Sequence, residues 1–278
     1  MKEDKMIKKA AFFYNSKRES AIRFTESAVS FLEKHKIKTE KICVNKGETP
    51  KYSADIAISA GGDGTALYAA RSLAGKSVGL IAVNAGGLGF LSSVEPKDFE
   101  SFFLKVLKNK IKKIERFFLE IEGPRGKYYA LNDCVLRSSQ PRAFHLKVNY
   151  AGDFLSSYFG DGLIVSTPTG STAYGLAAMG PIIMPSAQVF CLSPICPHTL
   201  THRPVVLPAD KTLEVFFCEE SEKDISVTVS IDGQENFILP SGKGISVKKS
   251  SFSLITPVHL DYSWFKVLRD KLSWGRRR

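Results

Sequence analysis

Long apolar runs are missing from this chain. No stretch approaches the roughly 20 apolar residues of a membrane-crossing helix. The opening MKEDKMIKKAAFFYN holds too short an apolar run for a secretory signal. A cytoplasmic location without a membrane partner is therefore expected. Cysteine is sparse: Cys43, Cys134, Cys191, Cys196 and Cys218 are odd in number and form no CxxC pair. That fits a reduced compartment better than a disulfide framework. Acid is the minority charge, and the formal net charge is +11. The lysines nevertheless scatter through the first 51 residues and recur at Lys105, Lys108, Lys110, Lys112 and Lys113, with Arg276, Arg277 and Arg278 last. No basic run is interleaved with aromatics, which argues against a dedicated nucleic-acid groove. Such a surface attracts polyanionic nucleotides through its long-range field. Internal repeats, low-complexity stretches and a Walker GxxxxGK[ST] are also absent, so this is not a P-loop kinase.

What is present is a chain of 278 residues, 44% apolar and 24% charged, enough for a packed core in one large or two ordinary domains. Residues 7–15 read as a first buried strand. From Ser20 the apolar positions Ala21, Phe24, Ala28, Phe31 and Leu32 take helical spacing. Further strands are expected at 38–44, 55–60 and 78–83, the last nearly continuous in apolar residues, as in a strand covered on both faces. After Pro96 a helix is expected to about Asn109, burying Phe99, Phe102, Phe103, Val106 and Leu107. Strands alternating with helices imply an α/β domain with a mostly parallel sheet, its ligands at the carboxyl ends of the strands.

Around residue 111 the texture changes to short alternating or β-branched runs, at 128–137, 144–150, 162–167, 212–217, 225–231 and 245–249. These predict a mostly β, sandwich-like second domain. The division expected is an α/β domain over 1–124, a β domain over 125–257, and 258–278 returning to the first. In that last segment Trp264, Phe265, Leu268 and Leu272 share one helical face that could pack on the first domain.

Four stretches carry candidate chemistry. Gly61-Gly62-Asp63-Gly64-Thr65 lies between a strand and a helix, where glycines permit positive φ and close approach to a ligand, and helix N–H groups favour phosphate. Asp63 there either accepts a proton or caps the helix. In Asn84-Ala85-Gly86-Gly87-Leu88-Gly89-Phe90-Leu91, Asn84 could hold a ribose or phosphate oxygen. Phe90 could pack on a base or simply close the core. Asn132-Asp133 places an amide beside an acid, a pair that by itself also suits a turn. Residues 161–181 read DGLIVSTPTGSTAYGLAAMGP, with Thr169, Ser171 and Thr172 offering hydroxyls at the start of a short helix.

Together, GGDGT at 61–65, NAGGLGF at 84–90, ND at 132–133, DGLIVSTPTGSTAY at 161–174 and DGQ at 232–234 resemble the NAD kinase family in order and spacing. GGDGT alone also resembles phosphofructokinases and diacylglycerol-type lipid kinases, whereas TPTGSTAY combined with ND is specific. The resemblance implies transfer of the γ-phosphoryl of ATP to the 2′-hydroxyl of the adenosine ribose of NAD. A divalent ion, Mg2+, would arrive with ATP, and no metal site of the protein's own is implied. It also implies an N-terminal α/β domain, a C-terminal β-sandwich and a homo-oligomer whose neighbouring subunits complete the sites.

By that resemblance Asp63 matches the general base, with Gly64 beside it in the NAD site. Asn132 and Asp133 match the pair that holds NAD. Thr172, Ala173 and Tyr174 match adenine- and ribose-side contacts, and Gly175, Leu176 and Ala177 continue that nucleotide-binding run. Asp161 matches an acid that contacts nucleotide across a subunit interface, together with the segment Cys196 to His198. Phe90, Arg142 and Gln234 are further nucleotide-binding matches. Family members commonly carry Ser at position 175, Gly-Gly-Pro where this chain has Met179-Gly180-Pro181, and a basic residue where it has Phe159. Competing readings are a lipid or sugar kinase of the same superfamily, a non-catalytic dinucleotide sensor, and a metal-binding module of Cys191, Cys196, His198 and His202, whose spacing fits no standard zinc pattern.

Overall fold

The computed structural model describes residues 6–44, 51–85, 89–218 and 225–275. They divide into two compact units, Met1–Glu115 with Leu254–Arg278, and Arg116–Ser253. The division expected from the sequence falls after 124 and after 257, whereas these units divide after Glu115 and after Ser253.

The first unit opens with β1 (Lys9–Tyr14), α1 (Glu19–Lys34), β2 (Lys38–Cys43), β3 (Ile56–Gly61), α2 (Asp63–Ser72), β4 (Gly79–Asn84) and α3 (Phe99–Leu107). Its sheet has the order β2-β1-β3-β4, and every pairing is parallel. All six residues of β3 are buried, which explains its unbroken run of small and apolar side chains. Helix α1 buries Ala21, Phe24, Ala28 and Leu32 on one stripe, and Phe24 meets Phe99 of α3 edge-on, with ring centroids 5.2 Å apart. Leu107, expected on the buried side of α3, closes that helix at 40% exposure. The chain leaves β1 for β2 on one side and then returns to build β3 and β4 on the other. This makes the carboxyl ends of β1 and β3 a topological switch point, the place where open α/β sheets bind ligands.

The second unit starts within β5 (Lys112–Gly123) and continues through β6 (Gly126–Ala130), β7 (Asp133–Ser138), β8 (Phe144–Tyr150), β9 (Asp153–Gly160) and β10 (Gly162–Ser166). A one-turn helix, α4 (Tyr174–Ala177), precedes β11 (Val189–Ile195), β12 (Val205–Pro208), β13 (Leu213–Phe217), β14 (Val227–Ile231), β15 (Glu235–Leu239) and β16 (Gly244–Val258). Two six-stranded sheets result, β6-β5-β16-β13-β8-β9 and β12-β11-β10-β7-β14-β15. Their inner faces share one core, with Leu119, Ile121, Leu146, Val148, Phe190 and Phe217 all buried in it. Strand β7 shows how the alternation positions chemistry. Cys134 and Leu136 belong to that core, so Asp133, Val135 and Arg137 lie on the opposite face of the same strand.

From Leu254, within β16, the chain re-enters the first unit, and it continues to α5 (Trp264–Leu272), whose N-cap Ser263 accepts the Lys266 N–H. Only part of its expected face is covered: Trp264 and Leu268 are buried, while Phe265 and Leu272 stay 52% and 37% exposed. The covered stripe is narrower than the apolar spacing implied, because Phe265 and Leu272 fall on its rim. Among the described residues no helix is long and apolar enough to cross a membrane.

Candidate functional site

In the first unit, the glycines of the GGDGT turn do not use positive φ. Gly62 sits at φ −95° and ψ −172° as the N-cap of α2, and no side chain caps that helix. Gly61 is required for closeness instead, since a Cβ there would collide with the Thr65 side chain. Asp63 is the first residue of α2 and is not its cap. Its half-buried carboxylate turns away from the helix and accepts the Phe90 N–H at 2.7 Å and the Leu91 N–H at 3.2 Å. A Cβ on Gly89 would collide with Asp63 Oδ1, so only glycine lets this loop lie against the carboxylate. Gly64 occupies the exposed first turn of α2. The Phe90 ring lies 5.9 Å from Trp264 of α5, closing part of this unit. Gly86, Gly87 and Leu88 of the same motif lie outside the described residues.

In the second unit, the Asn132-Asp133 turn is held from two sides. From one side comes Asp232 at the tip of the β14–β15 hairpin, where its φ of 50° aims the side chain back. Its buried carboxylate accepts the Leu131, Asn132 and Asp133 N–H groups at 2.9, 2.8 and 3.1 Å. From the other side comes the TPTG segment. Thr167 donates its hydroxyl to the Leu131 carbonyl at 2.6 Å and its N–H to the Asn132 carbonyl at 2.9 Å. A Cβ on Gly170 would collide with that same carbonyl of Asn132, so glycine is what allows the two turns to touch.

The hydroxyls expected to grip a nucleotide are used within the fold. Thr169 accepts from buried Arg116 at 3.1 Å. Ser171 donates to the Pro168 carbonyl at 2.7 Å and accepts the Ile183 N–H at 3.0 Å, and Thr172 donates to the Thr169 carbonyl at 3.3 Å. The expected short helix is two pieces, a 3-10 turn over Gly170–Thr172 and α4, broken at Ala173.

These constraints bring Asn132, Asp133, Ala173 and Tyr174 to the rim of one cavity of about 340 Å³. Burial first, then the neighbouring Asp232 charge, pushes the Asp133 carboxyl up from its ordinary 3.8 to about 7. Thr172, Gly175, Leu176 and Ala177 lie in the adjoining turn but do not line the cavity. Gln234 sits in the hairpin turn, its N–H donating to the Ile231 carbonyl at 3.0 Å. Arg142 lies exposed beyond the end of β7, away from this lining. Asp161, also exposed, donates its N–H to the Ile195 carbonyl at 3.0 Å, and the His198 N–H reaches the Phe159 carbonyl at 2.9 Å. Asp161 and the segment around Cys196 are therefore neighbours. Phe159 stacks on His145 at 4.4 Å and meets His198 edge-on, so it fills an aromatic column.

Of the polar residues lining the cavity, Asp232 belongs to the matched DGQ but was given no role from the sequence, and Arg137 and Ser230 lie off every matched motif. The Asp-Gly dipeptide between two β runs marks a hairpin tip and was the available signal for the first. Arg137 carries only the alternation of β7. Among the described residues no three His, Cys, Asp or Glu side chains gather as a metal site, and Cys191 is buried while Cys196 is exposed.

Known proteins resemble the chain over both units. Residues 5–111 match the family model of the ATP-NAD kinase N-terminal domain, and residues 131–257 that of the ATP-NAD kinase C-terminal domain. The NAD kinase of Aeromonas salmonicida is 41% identical over 230 residues, covering 81% of this chain and 78% of that protein. An NAD kinase from Archaeoglobus fulgidus, solved in complex with ATP, superposes with a TM-score of 0.75 at 25% identity, over 95% of this chain and 97% of that one. Yeast NADH kinase, solved with NADH, shares the fold at a TM-score of 0.91 and 21% identity, over 99% and 90% of the two chains.

Proposed function

Because the chain belongs to the NAD kinase family, phosphotransferases that convert NAD to NADP with ATP, we propose that Asp63 is the general base of the transfer. The observation that carries this is the setting of its carboxylate. It stands just past the carboxyl end of β3, beside the switch point, and two loop N–H groups fix its direction. A carboxylate accepts at about four lone-pair positions, so two loop bonds leave capacity for a substrate hydroxyl. Phosphoryl transfer asks little covalent chemistry of the protein: it needs alignment, charge neutralisation and an acceptor for the hydroxyl proton. Asn132 and Asp133 would hold the ribose hydroxyls of NAD, and Tyr174 with Ala173 its adenosine side. The magnesium ion belongs to the substrate, arriving on the ATP phosphates and neutralising their charge.

Two finer points accompany this reading. The active species is a homo-oligomer in which Asp161 and the Cys196–His198 segment reach a nucleotide held mainly by another subunit. Leu200, two residues past that segment, is 91% exposed, which supports burial against a second copy, and activity that persists in a sedimenting monomer would overturn it. The cytoplasm is the compartment, a reading supported by five cysteines of which none forms a disulfide.

The test is Asp63→Asn, assayed for NADP formation and, on the same folded sample, for NAD binding by calorimetry. Loss of a general base costs on the order of 10²–10⁴ in rate. Turnover should fall by that much while NAD affinity changes little. Turnover near wild type would leave Asp63 as a loop anchor only.

A further inference from the structure

The cavity beside Asn132 and Asp133 has an unusual balance of charge. Its described lining includes two acids, Asp133 and Asp232, and a single cation, Arg137. The alternation of β7 puts Arg137 on the outer face with Asp133, two pairs along the strand. Its cross-strand neighbours are Gly162 of β10 and Thr228 of β14, so no carboxylate stands opposite it. A Cβ at Gly162 would lie 3.2 Å from the Arg137 Cα, so that flank holds no competing side chain.

Among the described residues the guanidinium donates no hydrogen bond and joins no ion pair. It also does not serve to neutralise the acids. Asp133 is raised by burial and by Asp232, with no opposing pull from Arg137. An exposed arginine at the edge of a cavity that keeps its donors uncommitted is equipped for an external anion. Its planar fork matches two oxygens of one phosphate, which a lysine does not.

We propose that Arg137 is a substrate-binding residue whose guanidinium takes a phosphate oxygen of the nucleotide seated against Asn132, Asp133 and Tyr174. The assignment rests on the kinase reading above and extends it to a residue off the recognised motifs. The phosphate comes either from the diphosphate of NAD or from the triphosphate of ATP. Asp133 recognises hydroxyl groups, the Asp232 carboxylate being engaged by three backbone N–H groups, and Arg137 supplies the charge that an anionic ligand would otherwise lack there.

The experiment compares wild type with Arg137→Ala and Arg137→Lys, measuring KM for NAD at saturating ATP and KM for ATP at saturating NAD. An exposed side chain without partners should leave Tm unchanged on truncation, which serves as the folding control. Loss of a charge-assisted hydrogen bond should raise one KM by roughly 10- to 100-fold in Arg137→Ala with kcat little altered. Arg137→Lys should recover part of it. A rise for NAD assigns the contact to the diphosphate, and a rise for ATP assigns it to the triphosphate. Both KM values unchanged in folded Arg137→Ala would overturn the proposal. Should the wild type form no NADP, the kinase reading fails separately. Calorimetric titration of NAD, ATP and pyrophosphate then decides: binding weakened in Arg137→Ala upholds the contact, and binding that is equal in both proteins, or absent from wild type, overturns it.

Discussion

Asp133 and Asp232 are tied to each other by two hydrogen bonds. The Asp133 N–H donates to Asp232 Oδ1 at 3.1 Å, and the Asp232 N–H donates to the Asp133 carbonyl at 3.0 Å. Two acids that would repel as side chains are thus locked side by side, one as an acceptor for three amides and the other turned toward the cavity. The arrangement holds the Asn132-Asp133 turn rigid at the expense of burying negative charge.

Asp232→Ala should therefore cost both stability and NAD affinity. It strands three N–H groups, and a buried unsatisfied donor costs about 1–3 kcal/mol. Urea denaturation should show a loss on the order of 3 kcal/mol. Asp232→Asn keeps one acceptor oxygen and should fall between the two. Wild-type stability in Asp232→Ala would show that the turn holds itself.

The raised Asp133 carboxyl gives stability a pH dependence of predictable sign. Between the ordinary 3.8 and about 7 the folded chain keeps a proton that the unfolded chain has released. This group's contribution to stability is therefore greatest at the acid end and declines as pH rises through that window. Asp133→Asn, which carries no charge, should match wild type near pH 4 and exceed its Tm at pH 8, by on the order of 5 °C. Parallel pH–Tm curves for the two proteins would contradict this. The same variant should bind NAD less tightly, because the ribose hydroxyls lose an anionic acceptor.

Gly89→Ala touches no proposed substrate contact, yet the added methyl would occupy the place of Asp63 Oδ1. The carboxylate must then rotate out of its bonds to Phe90 and Leu91. The expected result is a fall in kcat approaching that of Asp63→Asn, with NAD binding retained. Activity at the wild-type level would mean that the direction of Asp63 is not critical.

Met179 offers a test of backbone strain. It sits at φ 62° with its side chain 85% exposed, so it bears the cost of a left-handed residue without packing in return. Met179→Gly should raise stability by roughly 0.5–1 kcal/mol, net of the greater freedom of glycine in the unfolded chain. At Gly175 a Cβ would lie 3.4 Å from Ser166 Oγ, an ordinary contact. Gly175→Ser should fold as wild type, and calorimetric unfolding of both variants checks the pair.

Much of this was legible in the chain itself. The buried strand Ile56–Gly61, the helical stripe of Ala21, Phe24, Ala28 and Leu32, and the alternation of Phe144, Leu146 and Val148 follow from local periodicity, which needs no partner to be read. The motifs also named Asp63, Asn132, Asp133 and Tyr174, because their residue types and spacing are written in sequence. Only the tertiary structure decided what those residues do to one another. Asp63 bonds the loop amides 27 and 28 residues onward, whereas the sequence leaves helix capping open as the alternative. Thr169 and Ser171 spend their hydroxyls on Arg116 and on Ile183. Asp232 reaches back about 100 residues to the Asn132 turn. A hydrogen bond between distant segments depends on where two turns meet in space, and periodicity within either segment carries no trace of that meeting. Arg137 is the extreme case: as a sequence position it is a surface arginine on an ordinary strand, and its place beside a cavity exists only once β7, β10 and β14 are assembled.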